Sequence, residues 1–182
     1  MSRDGGFNAN DTNIFPNLSA SDLPCDWDNN IGIPNTFVGG GIVNSAEVTT
    51  DIVTQGEAVD LNGTFTTLDL QHFDSPANGR LRHIGINPRE YTVNFDFILD
   101  GTQNGEYEIF LIKIDSSANV TVEYTQTRVI NNLQGGRDVA YDIGQPSVVL
   151  NQNDFIFWQV ANVTGSQDCI LEVDSSWSVK ER

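Results

Sequence analysis

Residues 148–158 have the sequence VVLNQNDFIFW. This stretch contains two short runs of β-branched, aliphatic and aromatic residues, and polar residues that favour a turn separate them. The second run, from Phe155 to Trp158, is apolar at every position, so both faces of its strand are apolar. The stretch predicts two neighbouring β-strands, Ser147–Leu150 and Asp154–Asn162. Both faces of the second strand are expected to be buried.

Similar runs follow one another from Glu47 to the end of the chain, and none of them shows the period of an amphipathic helix. Turn residues separate the runs, as at Gly101, Gly105 and Pro146. The predicted strands are Val48–Thr54, Thr64–Phe73, Leu81–Ile86, Tyr91–Asp100, Glu106–Asp115, Val120–Val129, Asp138–Ile143, Ser147–Leu150, Asp154–Asn162 and Cys169–Val179. We therefore predict an all-β fold over residues 47–182, a two-sheet antiparallel jelly-roll sandwich.

Two predicted strands, Glu106–Asp115 and Asp154–Asn162, are apolar on both faces, whereas Tyr91–Asp100 alternates between apolar and polar residues. A sandwich leaves each sheet one outer face, so an apolar outer face indicates either a contact with a sister copy or a loop of the same chain folded over it. We predict a homotrimer. Its predicted interface residues are Tyr107, Ile109, Leu111, Phe155, Phe157 and Trp158.

Residues 1–46 are rich in Asn, Asp, Gly, Ser and Pro, with isolated large apolar residues at no regular period. Flexible linkers do not carry so many large apolar side chains. The segment is therefore predicted to be an extended N-terminal attachment arm that buries its apolar residues against another surface. Aromatic residues bury the most area in such contacts, so the predicted anchors are Phe15, Trp27 and Phe37.

The chain has 25 acidic and 9 basic residues and a formal net charge of −16, which disfavours binding to nucleic acid. No apolar run approaches the ~20 residues that a membrane-spanning helix needs, so no membrane partner is expected. The first residues lack the apolar centre of a secretory signal. We expect a chain that does not pass the secretion machinery, the alternative being a signal already removed.

No catalytic signature is present, and we predict neither an enzyme nor a cofactor. His72 and His83 are the only imidazoles, and both fall in predicted strands beside core-type residues, which favours structural roles. No Gly-x-Ser-x-Gly motif exists, and Gly39-Gly40-Gly41 has no following Lys to form a phosphate loop. Carboxylates are so frequent that their pairing in sequence cannot single out a glycosidase dyad.

Two further groups of residues have side chains that could bind a metal or form a disulfide. Residues 26–30 place oxygen atoms on alternate positions of a loop, as Ca²⁺ prefers, but they lack the twelve-residue EF-hand frame. A polar turn anchored by Trp27 is the favoured interpretation, and no metal is predicted. Cys25 and Cys169 lie too far apart for a zinc motif. Two reduced thiols are favoured, and a bridge from the N-terminal segment to the last strand is the alternative.

Four stretches together resemble the tumour-necrosis-factor-like jelly roll, which is shared with complement globular heads and with bacteriophage decoration and fibre domains. They are GRLRHIG at 79–85, REYTVNF at 89–95, EIFLIK at 108–113 and the stretch 148–158. The last is similar to a family pattern of strand, Leu, two residues, Gly-Asp and strand. The resemblance implies a tight turn there, with Asp154 holding backbone amides and with Asn153, which also accepts positive φ, replacing the Gly.

The resemblance implies a trimeric jelly roll on the surface of a virion, attached by its N-terminal arm. The arm replaces the collagenous or membrane-anchoring N-terminus of the animal members, which argues against a secreted cytokine. We expect a capsid decoration or cement protein that binds the major capsid protein or another particle protein. The alternative is the receptor- or glycan-binding head of a tail or head fibre, and a third hypothesis is a polysaccharide-cleaving enzyme.

Overall fold

The computed structural model describes residues 39–101, 104–129, 137–141 and 146–182, with backbone only for 137–141. Within these ranges the chain forms fourteen β-strands and no helix, so no described helix could span a membrane. The strands are β1 Gly39–Asn44, β2 Val48–Thr50, β3 Val59–Asp60, β4 Phe65–Gln71, β5 Phe73–Asp74, β6 Arg80–His83, β7 Arg89–Asp100, β8 Glu106–Ile114, β9 Val120–Val129, β10 Arg137–Tyr141, β11 Ser147–Leu150, β12 Phe155–Asn162, β13 Cys169–Leu171 and β14 Ser176–Glu181.

The strands form two antiparallel sheets. The first has the order β2-β13-β7-β14-β1-β4, and β10 and β11 also pair with β7. The second has the order β5-β6-β12-β8-β9, and β3 also pairs with β12. This arrangement confirms the predicted all-β antiparallel sandwich.

The core lies between the two sheets. On β7 the side chains of Val93, Phe95 and Phe97 are buried, as the alternation of that strand predicts. The ring of Trp158 on β12 packs from the second sheet against Phe95, with centroids 4.5 Å apart, and against Trp177 of β14, at 6.4 Å. Each of these large side chains stabilises the fold by about 1.5–3 kcal/mol through removal of its apolar area from water.

Strand β1 was not predicted, and it lies inside the segment assigned to the arm. It pairs with β14 on one side and with β4 on the other, so residues 39–44 belong to the sandwich. This corrects the predicted boundary between residues 46 and 47. Glycine has a low β-propensity, which is why the GGG run gave no strand signal.

The glycines of β1 are required by close packing. A Cβ atom on Gly39 would lie 2.2 Å from the backbone oxygen of Val179, and one on Gly40 would lie 2.6 Å from Cδ2 of Leu70. The glycine run therefore lets the backbone of β1 lie close to its neighbours.

The turn between β11 and β12 has the features that the resemblance implied. Asn153 adopts a φ of 70°. The buried carboxylate of Asp154 accepts hydrogen bonds from the backbone N–H of Asn151 (2.9 Å) and of Ser116 (3.2 Å). The second bond ties this turn to the one between β8 and β9. Backbone bonds join it to β6 as well, because the N–H of Asn153 donates to the oxygen of His83 at 2.7 Å.

Two predicted strands are each divided in the structure. Predicted Cys169–Val179 becomes β13 and β14, because Asp174 takes a φ of 68° between them. Predicted Thr64–Phe73 becomes β4 and β5, and His72 at the break takes a φ of 61°. A single left-handed residue interrupts the ladder, and the sequence pattern alone does not reveal it.

Candidate functional site

The two strands that are apolar on both faces are neighbours in the second sheet. β8 and β12 pair so that Phe157 lies opposite Ile112, and Trp158 lies opposite Leu111. The first pair points away from the sandwich, and the second points into it, because successive residues of a strand face opposite sides. The two strands together therefore place apolar residues on both surfaces of the sheet.

The inner surface takes four of the six residues predicted for the trimer interface. Tyr107, Ile109, Leu111 and Trp158 are buried in the core of a single chain. Their assignment to a contact with a sister copy is therefore corrected. The sequence could not distinguish the two surfaces, because both alternating sets on these strands are apolar.

The other two predicted residues, Phe155 and Phe157, lie on the outer surface. There they belong to what we call the outer patch, which consists of Phe110, Ile112, Ile114, Val120, Val122, Phe155 and Phe157. Val120 and Val122 on β9 are 63% and 58% exposed. The patch is a continuous apolar area over three adjacent strands, and its β9 side faces solvent in the single chain.

Two arginines of β6 cover the opposite side of the outer patch. The guanidinium carbon of Arg80 lies 4.4 Å from the ring centroid of Phe157, and that of Arg82 lies 5.7 Å from that of Phe155. Arg80 also pairs with Asp60 at 2.7 Å. Phe157 is 4% exposed as a result. Side chains of the same chain therefore shield this edge.

An ion pair with Asp74 holds Arg82, the second of these arginines, in place. Its Nε donates to Oδ1 of Asp74 at 2.9 Å, and a second bond joins Nη2 to Oδ2 of the same carboxylate. The hydrogen bonds with Asp74 raise the pKa of Arg82. A bidentate pair of this kind fixes the plane of the guanidinium over Phe155.

The outer surface of this sheet changes character along β8. On the N-terminal side of Phe110, the outward positions of β8 carry Glu106 and Glu108. These two residues lie opposite Val129 and Thr127 of β9. One half of the surface is therefore apolar and the other is acidic. A partner that covers the patch meets an acidic border on one side and arginines on another.

The predicted anchors Phe15, Trp27 and Phe37 lie outside the described residues, as do the oxygen-rich loop at 26–30 and Cys25. Within the described part of the chain, no three or more His, Cys, Asp or Glu side chains form a group that could hold a metal ion. Cys169 is the one cysteine of that part, and its thiol is free and buried in the core. Burial raises the pKa of Cys169 to about 12.

The two histidines occupy one end of the sandwich. His83 of β6 is completely buried, and its Nδ1 lies 3.1 Å from the backbone oxygen of Asn151. Burial lowers the pKa of His83, and the charges of His72 and Arg89 lower it further, against the Asn151 hydrogen bond and Asp154. The neutral form of His83 is therefore favoured at pH 7. Its ring packs among core side chains, beside Phe73 and Tyr91.

Comparisons with known proteins bear on the fold. No protein-family model matches the chain, and no curated protein matches it. Among solved structures, Eiger TNF from S. frugiperda matches with a TM-score of 0.58 and 8% sequence identity, over 81% of this chain and 93% of that one. Murine APRIL at pH 5.0 matches with a TM-score of 0.57 and 8% identity, over 80% and 99%. The chain therefore has the jelly-roll fold seen in these TNF-type proteins.

Proposed function

We propose that this protein is a non-enzymatic structural protein of a bacteriophage particle, which decorates the capsid as a trimer and is attached by its N-terminal arm. The observation that carries the proposal is the outer patch, an apolar sheet surface that a single chain leaves uncovered along β9. Exposed apolar areas of this kind mark sites of association. The TNF-like jelly roll supports the choice of a threefold assembly, as the resemblance in sequence implies.

The trimer would form by covering the outer patch with a sister copy. In a cyclic trimer each contact is heterologous, so the patch of one copy meets a different surface of the next. Phe155 keeps its predicted place in this contact, whereas Phe157 is only 4% exposed in the single chain and adds little area to it. Phe110 and Ile114 of β8 take the places that the sequence analysis gave to Tyr107, Ile109 and Leu111, while Ile112, at 2% exposed, is already covered.

Attachment to the particle would use the arm. Phe15, Trp27 and Phe37 are the proposed anchors on a major capsid protein or another particle protein. Three arms in one trimer multiply modest individual affinities, because the second and third arms bind at a high effective concentration. The net charge of −16 would keep the decorated particles apart in solution.

A sedimentation experiment tests the proposal. Purified full-length protein is mixed with undecorated capsids of its phage, or separately with host cells, and centrifuged. We expect the protein in the capsid pellet and not with the cells. The Phe15→Ala, Trp27→Ala, Phe37→Ala triple variant should remain trimeric and stay in the supernatant, since it keeps the jelly roll and lacks the anchors.

The alternative function gives a different result in the same experiment. A receptor- or glycan-binding fibre head would sediment with host cells, and the triple variant would do so too. An exposed apolar loop is the feature that favours this alternative, because Ile84 and Ile86 between β6 and β7 are both exposed. Binding to cells and not to capsids would replace the decoration proposal.

A further inference from the structure

The ring of His83 lies at one end of the sandwich, where it contacts elements of both sheets. It is 0% exposed and packs against Phe73 of β5 and Tyr91 of β7, with each ring centroid 5.4 Å from its own. Its Nδ1 lies 3.1 Å from the backbone oxygen of Asn151, in the turn between β11 and β12. A carbonyl oxygen only accepts hydrogen bonds, so Nδ1 carries the proton of the neutral ring. One imidazole therefore connects three parts of the fold.

The other ring nitrogen of His83 is poorly placed to take up a second proton. Nε2 is buried, and no described residue forms a hydrogen bond with it. A Cβ atom on Gly85 would lie only 2.6 Å from Nε2, so the loop after β6 packs closely against this nitrogen. Protonation at Nε2 would create a buried N–H and a positive charge where no described group accepts the hydrogen bond, which costs free energy.

The charged groups around His83 do not offset this cost. Burial is the largest cause of the lowered pKa of His83, and the charges of His72 and Arg89 lower the pKa further. The hydrogen bond with Asn151 and the carboxylate of Asp154 act in the opposite direction and are outweighed. The packed ring is therefore held in its neutral form.

The other ionisable side chains on the strands around the ring lie apart from it or do not titrate near neutral pH. The phenol of Tyr91 titrates near pH 10 and stays neutral below pH 8. Asp74 of β5 and Arg82 of β6 pair with each other beside Phe155, on the opposite surface of the sheet. Histidine is the side-chain type whose ordinary pKa lies between pH 5 and 8, so a charge change at this end in that range begins with a histidine.

We propose that His83 is an acid-sensitive latch, which holds the β5–β6 edge of the second sheet to the β11–β12 turn while its ring is neutral and releases them when the ring takes up a second proton. Three backbone hydrogen bonds at this end would break on release. They join the N–H of His83 to the oxygen of Asp154 at 2.9 Å, the N–H of Asn153 to the oxygen of His83 at 2.7 Å, and the N–H of Ile84 to the oxygen of His72 at 2.8 Å. The strands of the first sheet pair without these bonds and would stay folded.

The direction of the pH effect follows from proton linkage. The released ring takes up a proton near its ordinary pKa of 6.5, whereas the packed ring takes it up only at a lower pH. The stability that the neutral ring gives to this end is therefore complete above pH 7 and is lost as the pH falls below about 6.5. At pH 5.5, about one pH unit below that value, this end should open about tenfold more often than at pH 7.5.

Residue-resolved hydrogen exchange of the full-length protein tests the latch. Nuclear magnetic resonance gives protection factors, which correct for the pH dependence of exchange itself, at about pH 7.5 and 5.5. Those of the His83, Ile84 and Asn153 amides should fall by about tenfold on acidification. Those of Asn44 and Asp174, which form backbone hydrogen bonds at the first sheet, should not change. An equal fall at every one of these amides, or no fall at any, would overturn the proposal.

Two variants assign the effect to its residue. His83→Phe keeps an aromatic ring between Phe73 and Tyr91 that cannot be charged, so its protection factors should be equal at the two pH values. His72→Asn removes the neighbouring histidine and keeps a residue that accepts the φ of 61° there, so the tenfold fall should remain. A pH effect that persists in His83→Phe, or that disappears in His72→Asn, would contradict the role of His83.

The unchanged protein gives a test that does not depend on the folding of His83→Phe. The ring resonances of His83 should titrate over the same pH range in which the protection of its own amide is lost. Titration of the His83 ring while the His83, Ile84 and Asn153 amides stay protected would show that a charged ring fits the closed end, and the latch would be ruled out.

Discussion

Asp154 shows how one carboxylate can fix the geometry of a β-sandwich. It is buried, and it accepts hydrogen bonds from the N–H groups of two separate turns, through Asn151 and Ser116. Without it both groups would lose their partner in a region that water reaches poorly, which costs more than a surface bond. The sequence resemblance anticipated the first bond. The second joins residues far apart in the chain, and no local pattern contains it.

Substitution of Asp154 should therefore be costly. Asp154→Ala is expected to lower the free energy of unfolding by about 3 kcal/mol, because two N–H groups lose their acceptor. Asp115→Ala is the matched control, since its carboxylate also accepts two backbone N–H bonds, from Ser117 and Asn119, but at an exposed turn. It should cost about 1 kcal/mol or less, because water replaces the acceptor. Urea denaturation measures both; equal losses would show that burial at Asp154 is unimportant.

Cys169 gives a prediction about reactivity. Its pKa of about 12 leaves about one thiolate in 10⁴ at pH 8, and only the thiolate attacks a disulfide reagent. In a Cys25→Ser variant, which retains a single thiol, Ellman's reagent should react at pH 8 only after denaturant is added. Rapid reaction of the folded variant would contradict the burial of Cys169 in the core.

At the scale of the strands, the sequence predicted both the strand and its buried face where apolar and polar residues alternate. It did not predict the buried face where a strand is apolar at every position, and it did not predict a strand made of glycines. β7 was predicted because its apolar and polar residues alternate. On β8 and β12 both faces are apolar, so Tyr107 and Leu111 were placed on the wrong surface. The strand β1 carries no β-forming signal in its GGG run. The neighbouring positions of His72 and His83 depend on strand pairing, which neither residue's own sequence neighbours encode.

The close packing of β1 predicts unequal effects along one glycine run. Gly39→Ala should destabilise the protein by about 3 kcal/mol, because its Cβ would meet a backbone oxygen at 2.2 Å, which cannot move aside alone. Gly41→Ala should cost less, because the nearest atoms to its Cβ lie at 3.2 Å. Thermal denaturation compares the two. A Gly39→Ala protein as stable as Gly41→Ala would mean that β1 packs more loosely than described.

For the whole molecule, the outer patch sets the expected state of assembly. The full-length protein should sediment in the analytical ultracentrifuge with three times the 20.0 kDa mass of one chain. Val122→Glu should lower the sedimenting mass to that of a single chain, because the substitution would bury a charge in the contact. The fold of the single chain should be kept, since Val122 is already exposed in it.

The matched control is Thr127→Glu, which adds the same charge to the acidic half of the same sheet surface, opposite Glu108. It should remain trimeric, since Thr127 lies outside the outer patch. A wild-type protein of 20.0 kDa at every concentration would rule out the trimer. Dissociation by both variants alike would show that net charge, and not coverage of the patch, controls assembly.

The place of β1 between two partners has a mechanical meaning. A pull on Gly39 along the strand axis would load the pairing with β14 and the pairing with β4 together, in shear, so that many backbone bonds must break at once. A strand at a sheet edge would instead yield along a single ladder. The proposed N-terminal arm joins the sheet at this strand. This junction is therefore suited to resist tension on the arm, such as the tension that a capsid under internal pressure would exert.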